Sequence, residues 1–113
     1  MNLREVVSNL QADAQCVSEQ LDSKVTGAYC SDLLSDVMAN AQKGDLWITI
    51  QTHQNIVAVA SLLELAGIVI TRGANPDADT LAKAAQEKIP IVTTELPSFE
   101  VAGRMYCLLG RDK

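Results

Sequence analysis

A threonine recurs at a fixed interval in the second half of this chain, and each time it ends a short apolar run. Thr49, Thr71 and Thr93 lie 22 residues apart, and each is followed by a segment rich in alanine and leucine. A strand of about 5 residues, a helix of about 11 residues and two short loops fill a period of this size. The spacing therefore predicts three consecutive strand–helix units, which build a largely parallel sheet with helices on its faces.

Two further strands are predicted before these units, which makes the expected fold an α/β domain with a mostly parallel sheet of about five strands. The apolar positions of residues 2–10 form one helical face and predict a helix before the first strand. Ser31 or Asp32 is expected to cap the helix after the second strand, because either side chain can accept a free backbone N–H. The predicted strands cover residues 14–17, 25–29, 45–51, 68–71 and 91–94.

The helix predicted over residues 55–66 is unusually apolar, with Ser61 and Glu64 as its main polar residues and Gly67 as its expected end. A surface helix keeps a polar half, so this helix must be covered on more than one side. Two covers fit the sequence equally well. One is a second subunit, and the other is the chain itself in a three-layer packing.

Composition excludes several classes of function. The 113 residues carry a net charge of −5, no cluster of basic residues and only 4% aromatic residues. Nucleic-acid binding needs a positive surface and stacking aromatics, so neither nucleic acid nor an anionic membrane is an expected partner. There is no run of ~18 apolar residues and no secretory hydrophobic region, so we expect one cytoplasmic domain over residues 1–113.

Several catalytic motifs are missing from the sequence. The phosphate loop of nucleotide-hydrolysing enzymes, the glycine fingerprint of dinucleotide-binding domains and the nucleophile elbow of α/β-hydrolases are all absent. The three cysteines are odd in number and form no C-x-x-C pair, so they predict neither a disulfide framework nor a metal site. We therefore expect no cofactor, no metal and no self-sufficient kinase activity.

Polar residues follow the three repeated strands, where ligands gather in parallel sheets. Arg72 would supply positive charge, Gly73 would allow close backbone approach, and the threonines would donate hydroxyls. The only histidine, His53, is either an acid–base group, a ligand contact or a loop residue that hydrogen-bonds locally. The alternative for the other candidates needs no ligand. Arg72 and Gly73 would then form an ordinary strand-to-helix turn, and the threonine hydroxyls would bind loop amides. The candidate ligand-binding residues are Thr52, His53, Thr71, Arg72, Gly73 and Thr94.

Five segments between residues 25 and 106 resemble, in order, the DRTGG domain. They are Val25-Thr26-Gly27-Ala28, residues 31–38 (Ser-Asp-Leu-Leu-Ser-Asp-Val-Met), residues 44–50 (Gly-Asp-Leu-Trp-Ile-Thr-Ile), Ile70-Thr71-Arg72-Gly73 and residues 89–94 (Ile-Pro-Ile-Val-Thr-Thr). This module occurs in proteins related to the N-terminal region of HPr kinase and beside CBS domains in some pyrophosphatases. The resemblance implies a three-layer α/β/α domain, like the HPr kinase N-terminal domain, that dimerises and has a regulatory role.

The sequence differs from the family pattern at two places. Thr52-His53 stands where relatives carry Asp-Arg, and Thr71-Arg72-Gly73 replaces Thr-Gly-Gly. The leading hypothesis is a non-enzymatic regulatory module that forms a homodimer and binds a small anionic ligand, such as a nucleotide, or a protein partner. The alternatives are an interaction subunit of a larger complex, for example a redox or hydrogenase-associated one, and a small enzyme that uses His53.

Overall fold

The computed structural model describes residues 1–16 and 18–113. None of the helices in these residues is long and apolar enough to cross a membrane. The elements follow one another as α1 (Leu3–Asn9), β1 (Asp13–Gln15), a 3-10 helix (Ser18–Asp22), β2 (Gly27–Cys30), α2 (Leu34–Asn40), β3 (Asp45–Thr49), α3 (Asn55–Leu63), β4 (Gly67–Ile70), α4 (Ala78–Glu87), β5 (Ile91–Thr93) and α5 (Ser98–Leu108).

The strands form one five-stranded sheet in the order β1-β5-β4-β3-β2. Strands β2 to β5 are parallel neighbours in chain order, and β1 joins the outer side of β5 as the antiparallel strand. The prediction of a mostly parallel sheet of about five strands is therefore confirmed. The three units with the 22-residue spacing supply three adjacent strands, β3, β4 and β5.

Helices cover both faces of the sheet, because successive apolar residues of each strand point in opposite directions. In β4, Ile68 and Ile70 pack with α2, α3 and α4, whereas Val69 packs with α1 and α5. The same alternation holds in β5, where Ile91 and Val92 belong to opposite faces. The result is the three-layer α/β/α arrangement that the resemblance implied.

The apolar helix α3 is covered by its own chain. It lies between α2 and α4, and Ile56, Val57 and Ala60 are fully buried. Only the last turn exposes a large apolar side chain, Leu62. The structure thus favours the second of the two predicted covers, because the neighbouring crossover helices take the place of a second subunit.

The predicted end of this helix is wrong. The helix stops at Leu63, and Glu64 adopts the left-handed conformation that ends it, with φ of 56°. Gly67 instead begins β4, where its backbone passes close to the carbonyl oxygen of Pro90. A glycine near a helix end was a poor guide here, because Gly67 lies in the sheet, where a Cβ atom would stand 3.1 Å from the Pro90 carbonyl oxygen.

The expected cap of α2 is also wrong. The position before this helix is Leu33, and no side chain caps it. The Asp32 carboxylate accepts the Thr49 hydroxyl at 2.8 Å and the Ile50 amide at 2.9 Å. These two hydrogen bonds end β3 at Thr49, two residues earlier than predicted. The starts of β3 and β5 agree with the prediction, and the other strand ends differ by one or two residues. Val17, predicted as the end of the first strand, lies outside the described residues.

We expect Glu64→Gly to raise the free energy of unfolding by about 0.5–1 kcal/mol. A side chain in the left-handed conformation costs roughly 1–2 kcal/mol, and glycine avoids most of this cost. The ion pair lost with Lys43 is solvent-exposed on both sides and contributes little. Urea denaturation is the measurement. The matched control is Glu87→Gly. Glu87 lies in the last turn of α4 and has no positive φ, so glycine should be destabilising there.

Candidate functional site

The turns after the three repeated strands lie side by side at one edge of the sheet. The Thr71 amide donates to the Thr49 carbonyl at 3.0 Å, and the Thr94 amide donates to the Ile70 carbonyl at 3.1 Å. These bonds continue the parallel ladder beyond the strand ends. The predicted common edge for the threonine-bearing turns is therefore present, and it brings Thr71, Gly73 and Thr94 together.

A crevice opens between the turns after β4 and β5. The chain leaves β4 for α4 on one face of the sheet and leaves β5 for α5 on the other face. Ligands of open α/β sheets bind where neighbouring connections diverge in this way. The crevice encloses about 120 Å³ and is lined by Gly73, Thr94 and Glu95, and from the antiparallel side by Gln11 and Asp13.

Backbone bonds hold the turn after β4 in a fixed conformation. The Arg72 amide donates to the Leu96 carbonyl at 2.9 Å, and the Gly73 amide donates to the Thr94 carbonyl at 3.0 Å. Both residues have positive φ, 61° and 70°. The positive φ of Gly73 favours glycine, and a Cβ atom there would also force the Glu95 carboxylate to move. The Arg72 side chain is exposed, and its guanidinium makes no ion pair with any described residue.

Two of the candidate hydroxyls point into the protein. Thr71 Oγ1 lies 2.6 Å from the Ser98 hydroxyl, and Thr94 Oγ1 donates to the Leu10 carbonyl at 3.0 Å. Both threonines are buried. The two hydroxyls tie these turns to the first turn of α5 and to the end of α1. Their predicted role as donors to a ligand stays a prediction.

Thr52 and His53 form a neighbouring part of the same edge. The Thr52 carbonyl accepts the Thr80 hydroxyl at 2.6 Å and the Asp77 amide at 3.3 Å, which attaches this turn to the start of α4. His53 Nδ1 lies 3.6 Å from Asp77 Oδ2, and both side chains are largely exposed. His53 therefore sits against a carboxylate without a nucleophile in the network. Among the described residues, no His, Cys, Asp or Glu side chains gather as a metal site.

Sequence reasoning missed the acidic residues of the crevice. Glu95 directly follows Thr94 and could have been included on position alone. Asp13 could not have been found in this way, because it reaches the crevice only through the antiparallel pairing of β1 with β5. The crevice therefore combines two carboxylates with one cation, Arg72, at its border. Hydrogen-bond donors are favoured inside the crevice, and anions are favoured only beside Arg72.

A second polar network lies where β2 meets α2. The Tyr29 hydroxyl donates to the Asp36 carboxylate at 2.8 Å, and the Asn40 amide donates to the same carboxylate at 3.0 Å. The hydrogen bond to Asp36 raises the pKa of Tyr29. Hydrogen bonds from Ser31 and Tyr29 lower the pKa of Asp36. Asp36 thus has a structural role in this network, as Asp32 has at the end of β3.

Thr71→Val should destabilise the fold by about 1–2 kcal/mol, because the buried hydrogen bond to Ser98 is lost and one partner is left unpaired. Urea denaturation measures the change. Thr52→Val is the matched control, since the Thr52 hydroxyl makes no hydrogen bond with a described residue and only its carbonyl is used. Equal effects of the two substitutions would contradict the structural role of the Thr71 hydroxyl.

Asp36→Asn should lower the pKa at which Tyr29 ionises, because the acceptor carboxylate that stabilises the protonated phenol is removed. The depressed pKa of Asp36 also means that its contribution to stability is present above its unfolded-state pKa and is lost as the pH falls. Ultraviolet titration of the phenolate measures the shift in a Tyr106→Phe background, which leaves Tyr29 as the only tyrosine. An unchanged titration curve would contradict the hydrogen bond.

A solved structure shares this fold. The chain matches the CBS and DRTGG domains of the regulatory region of Clostridium perfringens pyrophosphatase, solved in complex with the activator diadenosine tetraphosphate. The TM-score is 0.74 with 19% sequence identity, over 92% of this chain but 45% of the neighbour. No curated protein sequence matches the chain significantly.

The family assignment follows from the sequence match over nearly the whole fold. The DRTGG domain profile matches residues 5–107, from the first helix to the end of the last. The matched range includes every strand of the sheet and all of the turns that line the crevice. The chain therefore belongs to the DRTGG domain family.

Proposed function

We propose that this chain is a non-enzymatic regulatory domain that binds a nucleotide, or a similar small phosphorylated ligand, at the crevice between the turns after β4 and β5. One observation carries the proposal. At the point where the two connections diverge, Arg72 is exposed in a turn held by backbone bonds, and its charge is not used by any described residue. A guanidinium in such a position is suited to bind phosphate through two parallel hydrogen bonds.

The carboxylates of the crevice fit the other half of such a ligand. Asp13 and Glu95 would repel a phosphate, but they can accept hydrogen bonds from ribose hydroxyls or from the amino group of a base. The ligand would then lie with its sugar or base edge in the crevice and its phosphate on Arg72. Small-molecule sites usually enclose about 300–1,000 Å³, so a crevice of about 120 Å³ predicts weak binding through part of the ligand.

The structural neighbour supports a nucleotide as the ligand class. Its two-domain regulatory region was solved with a dinucleotide activator, and this chain spans less than half of that region. We infer that this chain likewise transmits the presence of a ligand to a partner. The structure does not favour acid–base catalysis by His53, because among the described residues the polar partner of its side chain is the exposed Asp77 carboxylate, and no nucleophile joins them.

We further propose that the chain acts as a homodimer of single domains, each comprising residues 1–113. The relation to the N-terminal region of HPr kinase and the cytoplasmic location remain predictions from the sequence. The exposed apolar side chains of α5 are available for a dimer contact. The helix α3, for which a second subunit was one of two predicted covers, is covered by α2 and α4.

A second candidate function is that of an interaction subunit in a larger complex. The observation that favours it is the side chain of Phe99, which is 90% exposed on the surface of α5. Exposed aromatic residues are typical of protein–protein contacts. This function does not need a nucleotide, so ligand binding separates the two candidates.

Diadenosine tetraphosphate, ATP or AMP should raise the melting temperature of the protein in a thermal-shift titration. A ligand at ten times its dissociation constant stabilises the folded state by about 1.4 kcal/mol, which corresponds to an increase of roughly 5 °C. Arg72→Ala should abolish the increase without loss of the fold, since the side chain is exposed. The matched control Arg4→Ala removes an exposed arginine on α1 and should leave the response unchanged.

Two outcomes would contradict the proposed nucleotide site. If none of the three nucleotides changes the melting temperature at millimolar concentration, ligand binding is refuted and the interaction subunit becomes the better candidate. If the nucleotides stabilise Arg72→Ala as much as the parent protein, a ligand binds elsewhere on the chain and the crevice is not the site.

A further inference from the structure

The outer side of α5 carries the most exposed aromatic residue of the described chain. Phe99 is 90% exposed and Tyr106 is 54% exposed. Between them lie two small residues, Ala102 and Gly103, and the space where a Gly103 side chain would stand is open. The opposite side of the helix sends Val101 and Met105 into the core. The core therefore does not explain the aromatic residues on the outer side.

Phe99, Gly103 and Tyr106 are exposed, and Ala102 is partly buried where the outer side borders the core. The four residues have a symmetrical order along the helix. Phe99, Ala102, Gly103 and Tyr106 stand at positions i, i+3, i+4 and i+7, which share one face of an α-helix. The order is large, small, small, large, and its midpoint lies between Ala102 and Gly103. We call these four residues the α5 strip. A helix with this order is complementary to a copy of itself that runs in the opposite direction.

We propose that the α5 strip is the contact surface between two copies of this chain. The two α5 helices would pack antiparallel about a twofold axis between Ala102 and Gly103, so that Phe99 of each copy meets Tyr106 of the other. The small residues allow the helices to approach closely at the axis. Aromatic pairs of this kind contribute beyond the area that they bury. This inference rests on the homodimer in the proposed function and names its surface.

The charges beside the strip fit the same symmetry. Glu100 and Arg104 form an ion pair within α5, with their atoms 3.3 Å apart. A twofold axis perpendicular to the helix brings the same flank of both copies together in reverse order, so Glu100 of one copy would lie next to Arg104 of the other. Two chains with a net charge of −5 each repel one another overall, and a contact with balanced local charge avoids adding to that repulsion.

The size of the strip sets the expected strength of the dimer. A standard stable interface buries roughly 800 Å² per partner. One face of an 11-residue helix contributes less than this, even with the hollow beside it that Asn9, Gly103 and Leu108 line. We therefore expect a dimer that dissociates on dilution, and measurements must cover a wide range of protein concentration.

Sedimentation of the full chain tests the surface directly. The parent protein should form a dimer as its concentration rises, and Phe99→Asp should remain monomeric with an unchanged circular dichroism spectrum. The matched control is Leu62→Asp, which places the same charge at another exposed apolar position, 68% exposed, on the opposite layer of the fold. It should dimerise like the parent.

A cross-link provides a second test that does not depend on weakening the dimer. Ala102→Cys, in a chain whose exposed Cys30 and Cys107 are replaced by serine, should form a covalent dimer on mild oxidation, because the two copies of residue 102 lie beside the axis. Leu62→Cys in the same background is the control and should stay uncross-linked. In the parent protein, Cys107 should cross-link poorly, because its two copies in the antiparallel pair would be separated by more than two helical turns.

The outcomes separate this inference from the proposals before it. A parent protein that stays monomeric at all concentrations overturns both the homodimer and its surface. A dimer that persists in Phe99→Asp, with no cross-link through residue 102, overturns the α5 strip and leaves the homodimer to another surface. A missing response to nucleotides affects neither result, because no residue of the strip lines the crevice.

Discussion

The connections after β4 and β5 leave for opposite faces of the sheet, although the two strands are hydrogen-bonded neighbours. This divergence opens the crevice between the turns after β4 and β5. The β4–β5 ladder and the bonds from Arg72 to Leu96 and from Gly73 to Thr94 hold the two turns in register. The crevice and the position of Arg72 both follow from this arrangement.

The buried threonines in the turns at the crevice, Thr71 and Thr94, use their hydroxyls in hydrogen bonds within the protein. Thr71 binds Ser98 at the start of α5, and Thr94 binds the carbonyl of Leu10 at the end of α1. Both bonds connect the edge of the sheet to the layer of α1 and α5. That layer also carries the α5 strip. The proposed ligand and the proposed contact between two copies would therefore both act on α5. A regulatory domain needs such a connection between its ligand and its partner surface.

The two helical layers differ in how completely they are covered. On one face, α3 is enclosed by α2 and α4, and even a nearly continuous apolar sequence needs no further partner there. On the other face, α1 and α5 leave the outside of α5 open, with Phe99 and Tyr106 exposed. The apolar content of a helix was therefore a poor guide to its contacts. A helix that is covered by its own chain says nothing about oligomerisation. Two exposed aromatic rings on an otherwise amphipathic helix do indicate a contact with another molecule.

The sequence alone determined the strand–helix repeat, the parallel sheet, the family and the edge at which the turns meet. These depend on local periodicity and on the rule that parallel strands end on the same side. It did not determine where side chains point at the ends of strands. The inward hydroxyls of Thr71 and Thr94, and the hydrogen bond from the Thr49 hydroxyl to Asp32, depend on partners that are distant in sequence. The left-handed conformation of Glu64 depends on how the chain passes from α3 into β4. Only the tertiary structure brought Asp13 beside Glu95 and left Phe99 uncovered, because both results depend on which element packs against which face.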